Sequence, residues 1–194
     1  MKMAKKFLAV ALAGVLALSV LTGCANGVKS KDVADSLTKM GIKVEQSKDV
    51  DKTAKETLKA IEAIINSETN TNADEEQKIT LDNAVGTTGK LIAASGVMTG
   101  ADTGSKVQTA LGIQAGGANE NKLVRVALVK TENAKKDASL QAHFVKDALV
   151  TASAASVLGA GKKVVEPGKL GTATTKDGKY MLVVIVNDVV AENA

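Results

Sequence analysis

The chain contains one cysteine, Cys24, at the end of a leader that begins charged and then turns apolar. Lys2, Lys5 and Lys6 open the leader, and an unbroken run of apolar or small residues follows from Phe7 to Leu21. A membrane-spanning helix needs about 20 apolar residues, so this run is too short for a span and fits the hydrophobic stretch of a secretory signal. With Cys24 spent there, the rest of the chain has no thiol for a disulfide or a metal thiolate. Its fold must be held by a hydrophobic core, and about 150 residues bury enough surface for one domain.

Leu21-Thr22-Gly23-Cys24 resembles the lipobox of bacterial lipoproteins, in which Leu, a small residue and Gly or Ala precede the cysteine. The resemblance covers residues 1–24 and every position agrees. It implies a diacylglyceryl thioether on Cys24, cleavage before it, and often a further acyl chain on the new amino group. One acyl chain holds a protein marginally, at about 0.8 kcal/mol per buried methylene, whereas two or three make a durable anchor. The expected division is therefore a signal peptide over 1–23, a lipidated tether over 24–29, and a single domain over 30–194. The expected location is the extracytoplasmic face of a bacterial cell membrane, or the outer membrane in a Gram-negative cell.

Most of the formal charge of +4 belongs to the leader: without its three lysines, 22 basic residues face 21 acidic ones. That balance speaks against nucleic acid as a partner. Aromatic residues point the same way. After the leader only Phe144 and Tyr180 remain, too few for the stacked rings of sugar platforms or single-strand sites.

Along the chain, Ser30 is placed to cap a helix carrying Val33, Leu37 and Met40 on one face, and Gly41 stands where a left-handed stop is wanted. Ile42 and Val44 alternate with charged residues, which suggests a short strand near 42–46. Asp51 opens the clearest helix, over 51–66, with Ala54, Leu58, Ile61 and Ile65 at helical spacing and a Lys52–Glu56 pair outside. A second long helix is expected over 74–98, with Ile79, Val85, Leu91 and Ile92 apolar and a small-residue ridge at Gly86, Gly89, Ala93 and Gly96. Each interior glycine costs about 1 kcal/mol against alanine, so such a ridge implies a close neighbour, or else Gly86–Gly89 divides the helix.

Residues 105–111 suggest a short helix and Lys122 to Lys130 a mostly buried strand. A third long helix is expected over 133–158, with Leu140, Phe144, Ala148, Leu149, Ala152 and Ala155 inward. Pro167-Gly168 suits a type II turn, and strands near 169–175 and 179–188 flank Asp177-Gly178, the residues of a type I′ hairpin turn. Shifting the chain by 59 residues lays 79–101 on 138–160 and Leu123-Val124 on Leu182-Val183, a faint repeat of helix then strand. These elements predict an α+β domain: a small antiparallel sheet of three to four strands with a C-terminal hairpin, covered by three long Ala- and Gly-rich helices.

Few residues point to chemistry. Ser139, His143 and Asp147 fall at i, i+4 and i+8, but a nucleophile needs oxyanion donors and mid-helix amides are already bonded. A polar stripe with a His143–Asp147 pair explains the spacing, so no catalytic set is assigned. One histidine and no free thiol exclude the common zinc cages, and no metal or cofactor is expected. Asp74, Glu75 and Glu76 suit a helix start. Gly89-Lys90 and Gly161-Lys162 lack the spacing of a phosphate loop.

Arg125, the sole arginine, interrupts an apolar strand, where it could clamp a carboxylate or phosphate or else point to solvent. Arg125 and His143 are the candidate ligand-binding residues. The expected function is a lipid-anchored, non-enzymatic module that binds an envelope partner. The alternatives are a small-ligand or solute-binding lipoprotein and a hydrolase-type secreted domain. The final strand-turn-strand, with Asp177-Gly178 and Tyr180, looks slightly like the end of CAP/SCP-type secreted domains. Their further His, Glu and aromatic motifs are absent here, and no residue role is carried over.

Overall fold

A computed structural model describes residues 28–76, 78–85, 122–150 and 161–192. Helix α1 (Ser30–Lys39) buries Val33, Ala34 and Leu37. It ends as the glycine predicts: Gly41 has φ 91, its N–H donates to Thr38 O (3.1 Å), and Ile42 N–H reaches back to Leu37 O (3.0 Å). Its start differs from expectation. Lys29 holds the cap position, with its backbone N–H donating to the Asp32 carboxylate (3.3 Å). Ser30 is already helical and spends its hydroxyl on Thr172 Oγ1, 2.7 Å away.

Strand β1 (Val44–Gln46) leads directly into α2 (Lys48–Ile65). This helix starts three residues before Asp51, with Ser47 at its cap position, and buries Val50, Ala54, Thr57, Leu58, Ile61 and Ile64. A single turn, α3 (Glu68–Thr71), follows. No long helix then begins at residue 74. The buried Asn70 accepts from Ile79 N–H through Oδ1 (2.7 Å) and donates to Ile79 O through Nδ2 (2.9 Å), which fixes the Ile79 backbone beside α3. Thr80 then caps the four-residue α4 (Leu81–Ala84) in a reciprocal box with Asn83. The glycine ridge, and the helix expected at 105–111, lie outside the described residues.

Strand β2 (Lys122–Lys130) has the predicted bounds and is followed by a short 3₁₀ turn (Glu132–Ala134) and α5 (Ala138–Val150). The buried residues of α5 are Gln141, Ala142, Val145 and Leu149. Of those expected inward, Leu149 is buried, Phe144 and Ala148 pack half-buried against the same layer, and Leu140 is half-buried. Ala152 and Ala155 lie outside the described residues. The chain closes with β3 (Lys162–Val164), β4 (Gly168–Thr174) and β5 (Tyr180–Ala191).

The fold is α+β with a C-terminal hairpin, and its sheet is mixed rather than wholly antiparallel. The order is β1-β4-β5-β2, with β3 pairing the far end of β5. β1 runs parallel to β4, and the other pairs are antiparallel. Both faces are covered. On one, α2 packs Ala54, Leu58 and Ile61 against Val126, Leu182 and Val184. On the other, α1 and α5 pack Leu37, Val145 and Leu149 against Ala127, Val183 and Ile185. Fully burying each Leu, Val or Ile side chain stabilises the fold by about 1.5–3 kcal/mol. β5 contributes to both layers and so reads as a continuous apolar run.

Of the faint repeat, Leu123-Val124 and Leu182-Val183 both fall in strands. Ile79, Thr80 and Val85, in contrast, are not helical where their counterparts in α5 are, and residues 86–101 lie outside the described residues. Two turns also differ. A type I′ turn needs positive φ at both central residues, but at the hairpin only Gly178 has it (φ 69). The loop is longer: Gly178 N–H donates to Thr175 O (2.9 Å) and Thr175 N–H to Tyr180 O (3.0 Å). A type II turn needs positive φ at Gly168. Gly168 is instead the first residue of β4, after a cis Glu166–Pro167 peptide.

Candidate functional site

The ladder between β5 and the β3–β4 edge is interrupted once. Val164 pairs with Val189 and Lys169 with Val186, so residues 165–168 stand opposite Asn187 and Asp188 alone. Two extra residues make this a special bulge, larger than the common one-residue kind. Val165 N–H still donates to Asp188 O (2.8 Å), and Gly168 N–H turns outward to Lys43 O (2.9 Å) at the start of β1. The gap is filled by the buried side chain of Asn187, whose Nδ2 donates to Val165 O (3.1 Å). Gly168 admits it, because a Cβ there would lie 2.6 Å from Asn187 Nδ2.

Arg125 completes this cluster. It sits in the middle of β2 opposite Ile185, on the sheet face covered by α1 and α5. Its Nη2 donates to Asn187 Oδ1 (3.0 Å), while its buried Nε has no partner among the described residues. Burial pushes the guanidinium below its ordinary value and the charge of Glu166 opposes that, yet arginine starts so high that it stays charged. Glu166 itself pairs with Lys43 (2.8 Å). Arg125 therefore does not point to solvent. It braces the bulge through Asn187.

The other candidate lies elsewhere. His143 is exposed on α5, as are Ser139 and Asp147, so the three form an outer stripe. The expected His143–Asp147 ion pair is not formed among the described residues. Arg125 and His143 are not brought together, for one lies under the helical layer and the other outside it. Cys24 lies outside the described residues, as does the leader. Among the described residues no group of three His, Cys, Asp or Glu side chains converges to hold a metal. No described helix is long and apolar enough to cross a membrane.

A second cluster closes the hairpin end of the sheet. Asp82 on α4 accepts from Lys130 Nζ (3.0 Å) and stands beside the Tyr180 hydroxyl. Lys130 Nζ also lies 5.9 Å from the Tyr180 ring centre, within cation–π range. Burial, then Asp82, pushes the Tyr180 hydroxyl above its ordinary value. Asp177 accepts from Lys179 N–H (3.0 Å) and from Thr175 Oγ1 (2.7 Å), which lowers its carboxyl. These contacts fasten α4 and the hairpin loop to the sheet. Asn187 was not singled out from the sequence; its only local signal is a lone amide inside an apolar strand, and its Arg125 partner lies 62 residues away. Comparison with protein-family models, with curated proteins and with solved structures found no match.

Proposed function

We propose that this chain is a lipid-anchored, non-enzymatic binding module of the bacterial cell envelope, held by a lipid on Cys24. The reading of the anchor rests on Leu21-Thr22-Gly23-Cys24. It is supported by Val28, four residues on, which already packs against the layer of α1 and α5. Helices cover both sheet faces, so the surface left for a partner is the helix exteriors and the sheet ends.

One observation favours an end. The exposed large hydrophobics among the described residues are Val165 (42%) and Val190 (37%), both beside the bulge. Val190 pairs with Lys163, two residues before Val165, so the two valines share one side of the β3–β5 ladder. Scattered single hydrophobics need no explanation, but adjacent ones at a strand end offer a contact to an apolar partner surface.

The test is fractionation of the full chain from a bacterial host. Wild type enters the membrane fraction and carries the lipid mass, and Cys24→Ala loses both. A wild type that stays with soluble protein overturns the reading. The Nε of Arg125, unpartnered among the described residues, favours a second reading, a small-ligand binder taking a carboxylate or phosphate there. Native mass spectrometry of gently purified protein would show a bound small molecule that Arg125→Leu loses. The hydrolase and CAP/SCP-type alternatives gain nothing from His143, which stands exposed on α5.

A further inference from the structure

We propose that the domain faces the bilayer with the end of the sheet that carries the β4–β5 hairpin, and turns the bulge end outward. The inference rests on the lipid reading of Cys24 and concerns how short a leash that lipid provides. Cys24 and Val28 are separated by four residue steps, and four steps of chain reach at most about 14 Å. Val28 is packed against the folded layer, so the leash cannot lengthen without pulling it out.

The point of attachment is fixed in the fold. Ser30, two residues after Val28, meets Thr172 hydroxyl to hydroxyl at 2.7 Å. Thr172 is two residues from the end of β4, and the hairpin loop follows at once. Strands rise about 3.3 Å per residue, which puts Lys176 within about 13 Å of Thr172 and Lys162 roughly 30 Å away along the β3–β4 edge. A domain tethered beside Thr172 therefore brings its hairpin end to the headgroups and holds its bulge end clear of them.

Charge does not set this orientation. The hairpin end carries Lys130, Lys135, Lys136, Lys176 and Lys179 against Asp82, Glu132, Asp137 and Asp177, with Lys130 paired to Asp82 (3.0 Å) and Lys179 near Glu132 (3.9 Å). So nearly balanced a patch adds little attraction to anionic lipid. The orientation is thus a property of the tether and does not depend on lipid charge. It also gives the module reading its geometry, because Val165, Val190 and the Arg125–Asn187 cluster all belong to the outward end.

The test uses the full lipidated chain in vesicles of neutral phosphatidylcholine, and again with phosphatidylglycerol added. A fluorophore is placed by Lys176→Cys or by Lys162→Cys, both exposed positions, and quenched by lipid carrying a headgroup nitroxide. With Cys24 held in a thioether, each variant takes one label. The expected result is several-fold stronger quenching at residue 176 than at 162, alike in both vesicles. Equal quenching, or the reverse order, overturns the orientation while leaving the anchor intact. Failure of the anchor looks different: wild-type Cys24 takes up label and the protein does not float with vesicles. Ten Gly-Ser residues inserted between Asn26 and Gly27 abolish the contrast if the tether sets it. A contrast that survives the insertion overturns the tether argument.

Discussion

The cost of Arg125 in a buried strand is met by one side chain, Asn187. An amide suits the task because it accepts from the guanidinium and donates to Val165 O, so both of its polar ends are used inside the protein. Asn187→Ala leaves Arg125 Nη2 and Val165 O without these partners and opens the bulge. The expected loss is about 1–3 kcal/mol, the desolvation penalty of stranded groups, read as a lower denaturant midpoint at unchanged slope. A loss below a few tenths would mean that solvent already satisfies the cluster. Tyr180 makes a second prediction at this scale. Its hydroxyl is raised above the ordinary value, by burial first and by Asp82 second, so the folded state holds that proton more tightly than the unfolded state. The stability this provides is complete below the unfolded value of about 10 and is lost as pH rises through the folded one. Tyr180 is the only tyrosine, so tyrosinate absorbance of the native protein reports it alone. Its midpoint is expected above that of the denatured chain, and a midpoint at or below it would refute the burial argument.

At the scale of elements, the tightest constraint is the crossing of α2 over β4. A Cβ at Gly171 would lie 2.1–2.3 Å from the backbone of Val50 and Asp51, so this helix start rests directly on the strand. Asp51 uses the contact, accepting the Thr172 N–H (3.0 Å) that β1, already finished, cannot pair. Gly171→Ala must push α2 off the sheet and is expected to cost about 1–3 kcal/mol or more, as overpacked cores do. Thermal unfolding would check it, and a neutral result would show that the helix start yields freely. The same crossing explains what the sequence allowed one to read. The apolar runs of β2 and β5 and the Ala54–Leu58–Ile61 stripe were legible because burial imposes period and composition locally. Gly41 was legible because a helix stop is written in one residue. Asp51 looked like a cap because nothing nearby reveals that its carboxylate serves Thr172, 121 positions on. Asn70 hid the break before α4 in the same way, replacing a helix by side-chain bonds to Ile79. The parallel β1–β4 pair and the Arg125–Asn187 tie likewise depend on partners far away in sequence, and pattern alone does not carry them.

For the molecule as a whole, β5 decides how the two layers relate. Leu182 and Val184 belong to the layer under α2, and Val183 and Ile185 to the layer under α1 and α5, with all four buried to 1% exposure or less. Neither layer can dissolve without stripping one face of the strand that supports the other. With β4 and β2 on its two sides, β5 also spends its backbone groups within the sheet. The described domain should therefore unfold as one unit, in the all-or-none manner of small domains. Tyr180 lies in the α2 layer, so its fluorescence follows that side alone, while far-ultraviolet circular dichroism follows helices on both sides. The two curves are expected to coincide in urea. Val184→Ala and Ile185→Ala, on opposite faces, should each shift both curves together, by about 2–5 kcal/mol for a large buried side chain and less for Val184. If Ile185→Ala moved the dichroism curve and left the tyrosine curve in place, the layers would be melting separately. β5 would then be a shared wall between two independent cores rather than the element that joins them.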